Sequence, residues 1–509
     1  MGNIFIEELL CDNIRKRNAS LFFHFQKIGF LSMVFNNILM QYELFIKIKK
    51  TKPVVKFFMK KIRDGVYTND YAIFFMTEEI LKDLDEGVLQ QAKNASQIPN
   101  VEFLGYTPDA HIGKGTSIGT IIVWDMSKAW ISPTIVGVDI GCGMRLILTD
   151  KFADDIDKAL LKRIMDEVED LIPTGVGKKN KKIALSKTKY EEYLQNTEID
   201  KDISDKMILI HEFDLDTIPD EAYEIGKEQF ATLGGGNHFI EFQKLHVIDK
   251  IIAEKWGLFE GQFVVMIHSG SRRFGAVIGD YYQKKFKDVM KSKGITTPDP
   301  QLTFLPIDNK VAKDYIKAMQ SAAIYAKINR HYMSNFIISV LEKHSIDAWV
   351  LYDVAHNIAY MERFANREKL VIRKGATRAL PPNHYLIPNP KFADTGHPVI
   401  LPGSMGSSSY LMRGIEDNII SYHTVNHGAG RVLSRTKAKK TISIEEFSKA
   451  LKQGQDGEIL INTKNLKDFL DESPQSYKDI EVVINSVITS RLALPVAKME
   501  PLGVIKGKD

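Results

Sequence analysis

Between residues 130 and 410 one pattern keeps returning: a short run of β-branched, aliphatic and aromatic residues empties abruptly into a polar or glycine-rich loop. ISPTIVGVDIGCGMRLIL reads as two strand pieces around a glycine loop, and LGGGNHFIEFQ as a triple glycine that delivers Asn237 and His238 onto an alternating strand. QFVVMI ends in His268-Ser269-Gly270-Ser271-Arg272, DAWVLYDVAHN in His356 and Asn357, KLVIRKGATRA in Lys374 and Arg378, and HPVILPGSMGSSSY in Ser404 and Ser409. Apolar residues at helical spacing fall between such runs: from Thr77, whose following Glu78 and Glu79 suggest a capping box, to about residue 96, and from Asn309 to His344 as one long or two consecutive helices. Strands alternating with helices predict an α+β fold, a single large mixed-sheet domain with helical insertions and its site at strand ends.

No internal repeat or low-complexity tract breaks the chain from residue 70 onward, so residues 69–509 are expected to form one catalytic domain. Residues 1–68 differ. Aromatic and aliphatic side chains crowd LFFHFQKIGFLSMVFNNILMQYELFIKIKK, followed by a basic patch ending at Lys60 and Lys61, which suggests a docked helix or an interaction arm. Because Met59 opens MKKIRDG just before the orderly pattern, part of this arm can also be read as sequence upstream of a start at Met59. Its most apolar run, Leu21 to Phe35, is broken by His24, Gln26 and Lys27, and is too short to span a membrane. Two cysteines, Cys11 and Cys142, provide no disulfide framework, so a reducing, cytoplasmic setting is expected. A formal charge of +4, from 68 Lys and Arg against 64 Asp and Glu, is too balanced to signal nucleic-acid binding, and any such site must come from local clustering. The charged, helical region from 151 to about 230 offers no recognisable site chemistry.

Two stretches carry chemistry. Asp139 and Cys142, with Gly141 and Gly143 to curl the chain, can turn both side chains toward one ion. With His238, His268 and His356, each at the border of an apolar run and a polar loop, they supply five donors, enough for two ions sharing a thiolate. The mixed S, N and O set leaves the metal open among zinc, manganese, cobalt and iron. Each histidine alone is equally readable as a structural residue, and Cys142 as a hydrolase nucleophile. The second stretch is TVNHGAGR, residues 424–431, where Gly428 and Gly430 leave backbone N–H groups open to a phosphate, Arg431 can fork onto its oxygens, and His427 stands beside them. A tight loop with a turn-capping histidine is its bland alternative. A further glycine-rich loop, with Asp109 and His111, runs into a β-rich segment ending near Trp124, a strand-and-loop unit that carries polar residues at its exit.

In order along the chain, VGVDIGCGMR, GGGNHFIE, HSGSR, RKGATRA, LPGSMGSSSY, HGAGR with SRTKA, and a C-terminal VIKG resemble the RtcB family of RNA-splicing ligases over roughly residues 70–509. The resemblance implies an RtcB-like catalytic fold and an enzyme that joins an RNA 3′-phosphate or 2′,3′-cyclic phosphate to a 5′-hydroxyl, using GTP and two Mn²⁺ ions, in tRNA splicing or RNA repair. It implies that Asp139, Cys142 and His238 hold one ion and Cys142, His268 and His356 the other, with His427 becoming guanylylated. The positions it assigns to GTP are Asn237, His238, Phe239, Glu241, His356, Asn357, Pro402, Gly403, Ser404, Met405, Ser409, His427, Gly428, Ala429, Gly430, Tyr477 and Lys506. Glu241 would accept from guanine N1 and N2 while Lys506 donates to O6. Arg272 and Arg431 would contact RNA phosphates, with Arg373, Lys374, Arg378 and Arg435 extending that footprint.

The resemblance also leaves room for an accessory activating protein among the partners, and implies no membrane. Three positions depart from the family pattern: Arg273 follows Arg272 where glycine is usual, Asn426 precedes His427 where cysteine or serine is expected, and Ala355 precedes His356 where cysteine is common. None removes a donor or the nucleophile. A dinuclear-metal RNA-end phosphatase or phosphodiesterase is the competing enzyme, and a non-catalytic RNA-binding protein the competing class.

Overall fold

The structure, a computed structural model, describes residues 43–44, 59–183, 185–387, 389–452, 458–463 and 465–508. The apolar run 21–35, and with it the expected docked helix or arm, lies outside them.

Two mixed eight-stranded sheets organise the described chain. The first runs in the order Glu43–Leu44, Met59–Arg63, Val66–Thr68, Ile73–Phe75, Phe103–His111, Ile118–Asp125, Arg367–Lys374, Asn357–Phe364. Met59–Arg63 and Val66–Thr68 pair into it, so this sheet continues across residue 69. The second runs Ala348–Ala355, Gly143–Phe152, Gln262–Ser269, Phe239–Val247, Ala493–Lys506, Ser409–Gly414, Pro398–Leu401, with Leu460–Ile461 beside Ala493–Lys506. The chain passes from the second sheet to the first at one residue, His356, between Ala348–Ala355 and Asn357–Phe364. A two-stranded ribbon of Ala376–Arg378 and Thr424–Asn426 then carries the chain up to His427.

The expected α+β mixed-sheet fold is the one found, and the long helix is single: Lys310–Lys343, 34 residues. From Ala318 to Arg330 each of its residues is buried, so it has no solvent face there and serves as an internal pillar. Arg272–Ser292 packs along it. The strand prediction fails at ISPTIV, where Pro133–Val136 is a short helix started by Pro133 and capped by Ser132, whose Oγ accepts from Ile135 N at 3.3 Å. The single helix expected from Thr77 is two, Glu78–Lys82 and Glu86–Ala95. Thr77 makes no side-chain cap, whereas Asp85 accepts from Gly87 N at 2.7 Å and restarts the helix after Asp83 ends the first. Asp109 and His111 belong to the strand Phe103–His111 rather than to the loop that follows.

Candidate active site

Antiparallel register explains why residues as distant as 139 and 506 meet. In the second sheet Ala355 and Ser269 each pair with Gly143, His268 pairs with Phe239, and Phe239 pairs with Lys506. The strand ends bearing His356, Cys142, His268, His238 and Lys506 therefore form one row along the edge of the sheet.

Within that row Cys142 Sγ lies 3.4 Å from His238 Nε2 and 3.3 Å from His268 Nε2, and His268 Nε2 lies 3.3 Å from His356 Nε2. Asp139 Oδ2 sits 2.8 Å from His238 Nε2, while its Oδ1 accepts from the Ser271 backbone N–H at 3.0 Å. The donors fall into two groups that share the thiol, Asp139/Cys142/His238 and Cys142/His268/His356. A tetrahedral ion with bonds of ~2.0–2.3 Å spans ligand–ligand edges of about 3.3–3.8 Å, so the spacing suits a cation in each group. Tautomers point the same way: Nδ1 of His238 and of His268 each face a backbone carbonyl, Leu233 O at 3.1 Å and Asn237 O at 3.0 Å. With the proton on Nδ1, each Nε2 turns a lone pair inward, the usual arrangement of a metal-ligating imidazole. Burial holds His268 and His356 well below the ordinary histidine range, and burial followed by the Asp139 charge pushes the Cys142 thiol up, an effect that a cation reverses. Burial alone would raise Asp139, but its hydrogen bond to His238, with the charges of His238 and Arg272, brings it down to about 2.

The cage is held from behind by a group the sequence did not disclose. Arg330, on the long helix, donates through Nη1 to Gly141 O and Ser269 O, both at 2.9 Å, fixing the chain beside Cys142 and His268. Its other face is bidentate on Asp353, at 2.7 and 2.8 Å, and Asp353 also accepts from Arg145 at 2.8 Å. All three are buried.

Beside the cage opens a cleft of about 650 Å³. Asn237, Phe239, Glu241, Pro402, Gly403, Ser404, Met405, Ser409, His427, Gly428, Ala429, Gly430, Tyr477 and Lys506 line it, together with Arg431 and Arg435. Of the residues expected around the nucleotide, His238 and His356 sit in the cage, and Asn357 is turned to structural work. Its Nδ2 donates to Asp139 O at 3.0 Å and its Oδ1 accepts from Gly375 N at 2.7 Å.

His427 Nδ1 lies 2.6 Å from Asp109 Oδ2, which also accepts from the His427 backbone N–H at 3.2 Å. Asp109 is fully buried and takes a further bond from Thr107 Oγ at 2.6 Å. Burial would raise its carboxyl, yet the charge and hydrogen bond of His427, then Thr107, hold it below the usual range. A carboxylate on Nδ1 fixes the imidazole so that Nε2 is the nitrogen left for chemistry. The His427 and His356 rings are 4.9 Å apart, so that nitrogen works next to the cage. Gly430, at φ +77°, lets the loop press so closely onto the Asp109 backbone that no Cβ would fit between them. This glycine therefore serves the Asp109 approach, where the sequence suggested space for a ligand.

At the far side Lys506, 4% exposed, reaches Glu472 at 3.0 Å and is no solvated tail residue. Tyr477 Oη donates to Glu472 at 2.8 Å and accepts from Arg431 Nη1 at 2.8 Å. Arg431 also donates to Leu433 O and Asp471 O, so its fork is occupied largely by protein and braces Tyr477. Lys478 Nζ grips Pro108 O at 2.7 Å and Ala110 O at 3.1 Å, the carbonyls on either side of Asp109.

The expected phosphate footprint contracts. Arg373 and Arg378 are fully buried on Glu362, with Arg378 also on Asp205, and Lys374 is buried with Nζ on Lys114 O and Thr116 O. Arg373 and Arg378 do not meet solvent, and Lys374 is 6% exposed with its ammonium turned onto backbone carbonyls. Arg272 does stand at the cage: its Nη1 lies 3.4 Å from His238 Nδ1 and its guanidinium fills the space a Cβ on Gly234 would take. Arg435 lies against Gly236 in the same way. Sequence reasoning passed over Asp109, Lys478, Glu472 and Arg330. The first two carried a signal, an acidic residue near His111 in a glycine-rich stretch and a lysine next to Tyr477, but nothing in one dimension says that they meet.

A family model described as tRNA-splicing ligase RtcB matches residues 91–507. Relatives named tRNA-splicing ligase RtcB include one from Aeropyrum pernix, 35% identical over 86% of this chain and 94% of its own length, and one from Methanococcus maripaludis, 35% identical over 85% and 94%. A protein of Mycobacterium tuberculosis named RNA-splicing ligase RtcB is 34% identical over 82% of this chain and 100% of its own length.

Proposed function

The chain belongs to the RtcB family, and from that premise we propose that it is a GTP- and Mn²⁺-dependent RNA ligase, acting in the cytoplasm in tRNA splicing or RNA repair. The observation that carries the mechanism is the clamp of Asp109 on His427 Nδ1 at 2.6 Å, which reserves Nε2 as a nucleophile next to the donor cage. Two divalent cations in that cage would neutralise phosphate oxygens and favour in-line attack.

The chain's own groups do the rest. His427 Nε2 forms a P–N bond to the α-phosphorus of GTP as the bond to the β-phosphate oxygen breaks and pyrophosphate leaves. The positive charge that develops on the ring faces the Asp109 carboxylate, which keeps the Nδ1 proton bonded and stabilises the imidazolium. An RNA 3′-phosphate oxygen then displaces His427 from the guanylate, giving RNA-ppG, and the 5′-hydroxyl attacks the RNA phosphorus, forming the phosphodiester and releasing GMP. A 2′,3′-cyclic end must first be opened by water. Glu241 and Lys506, on adjacent strands of the second sheet, suit guanine: a carboxylate for N1–H and N2–H, an ammonium for O6. Adenine would set its N1 acceptor against the carboxylate and its 6-amino donor against the ammonium, so both contacts would be mismatched.

The test is incubation with α-labelled GTP and Mn²⁺. The protein should acquire an acid-labile, alkali-stable label that His427→Ala loses completely, and RNAs with 3′-phosphate and 5′-hydroxyl ends should be joined with GTP but not with ATP. Label retained by His427→Ala would refute the mechanism. Release of inorganic phosphate from RNA ends without joining would favour an end-processing phosphatase instead.

A further inference from the structure

Residues 175–182, GVGKKNKK, carry four lysines and no acidic residue, in a chain whose overall charge is nearly balanced. Most runs of this kind are solvated surface. This one differs in being fastened at both ends, and at its first end against the site. Gly175 N–H donates to Gly234 O at 2.8 Å, which joins the segment to the triple-glycine loop before His238, and Arg272 Nη2 approaches Gly175 O at 3.5 Å. Val176 N–H donates to Lys508 O at 3.0 Å, two residues beyond Lys506. At the other end Asn180, 6% exposed, donates to Leu171 O and Ala231 O while its Oδ1 accepts from Lys182 N.

Between these anchors Lys178 and Lys179 are exposed, and Lys181 and Lys182 follow on the outside. Lys179 pairs with Glu228 at 2.5 Å, and Lys508 with Asp468 at 2.6 Å, both at the surface, where such pairs exchange readily for phosphate. Lys178 and Lys181 make no salt bridge among the described residues. Lys178 is three residues from Gly175, so at most about 11 Å of backbone separates it from the Gly175 carbonyl that Arg272 approaches.

We propose that this segment, with Lys508, is a track for the phosphate backbone of a single-stranded RNA end as it leaves the donor cage past Arg272. It rests on the RNA-ligase reading and adds to it a surface that reads charge and not sequence, since none of these lysines lies in the cleft. A rigid loop presenting ammonium groups beside the site suits that task, because the electrostatic term is independent of base identity.

The experiment measures binding of two ten-nucleotide RNAs, one with a 3′-phosphate and one with a 5′-hydroxyl, to the full chain over a range of salt. Removing one lysine–phosphate interaction should flatten log K against log salt by about 0.7 for a single strand. The Lys178→Ala/Lys181→Ala variant should therefore lose roughly 1.4 of slope for at least one of the two RNAs, and Lys178→Arg/Lys181→Arg should restore it. His427 guanylylation, which needs no RNA, should be unchanged in both variants. An unaltered slope for both RNAs would overturn the track while leaving the ligase reading intact. Failure of the unaltered protein to guanylylate or to bind either RNA would instead overturn the ligase reading, and the track with it.

Discussion

Glu241 shows how one residue couples nucleotide recognition to pH. Burial pushes its carboxyl up to about 8, against the pull of the Gln243 hydrogen bond and of the Lys506 charge, so that near neutrality it holds a proton. Guanine N1–H and N2–H need the anion, and binding must therefore expel that proton. The sign follows: below pH 8 the KM for GTP in guanylylation should fall about tenfold per unit of rising pH, and it should level off above. Measuring KM separately from kcat across pH 6–9 isolates this from pH effects on the chemical step. Glu241→Gln should weaken GTP and abolish the slope; a KM independent of pH in the unaltered enzyme would show that the carboxyl is not what guanine meets.

Among elements, the segment around Tyr477 and Lys478 is the strap that fastens the nucleophile. Lys478 N–H donates to Gly430 O at 2.9 Å, while Nζ holds the carbonyls of Pro108 and Ala110, so one residue joins the His427 loop to the strand that carries Asp109. Lys478→Met should cost about 3–6 kcal/mol, the net value of two hydrogen bonds from an ammonium at about 1.5–3 kcal/mol each. It should lower kcat for guanylylation more than it raises KM, because the change acts on the aim of His427, with Lys478→Arg recovering part of the rate. Equal changes in the two constants would make Lys478 a nucleotide-binding group. This strap also marks where reading the chain stops. Strands ending in histidine and the 34-residue helix were legible because each is local: a period, an apolar run, a residue at its end. The grouping of the donors around Cys142, with His268 126 positions away, came from the family resemblance. Asp109 was not legible, since its partner is 318 positions away, and neither were the ion pairs of Arg373 and Arg378, whose basic side chains look in one dimension like a phosphate footprint. The helix break at Asp83–Asp85 is invisible in the pattern because helical spacing continues through it, while a stronger cap interrupts the backbone.

At the scale of the whole molecule, the site depends on a charge cluster that ties the long helix to the second sheet. Arg145 on Gly143–Phe152, Asp353 on Ala348–Ala355 and Arg330 on Lys310–Lys343 meet where solvent does not reach, and Arg145 also pairs with Asp200, so a region whose sequence offers no site chemistry supports the cage from outside. Burial works against the Asp353 anion, but Arg330 and then Arg145 hold its carboxyl below the usual range, so it stays ionised between two cations. Replacing such a cluster with apolar residues is often tolerated, whereas removing one member strands a buried charge. Asp353→Ala leaves two guanidinium groups facing each other and should destabilise the fold by about 3–5 kcal/mol, read as a lower midpoint in denaturant unfolding. Because Arg330 fixes Gly141 O and Ser269 O, the same variant at low temperature, still folded, should bind Mn²⁺ more weakly than the unaltered chain by equilibrium dialysis. A destabilisation below about 1 kcal/mol, the range of an exposed pair, would mean that water reaches the cluster and that the cage stands without it.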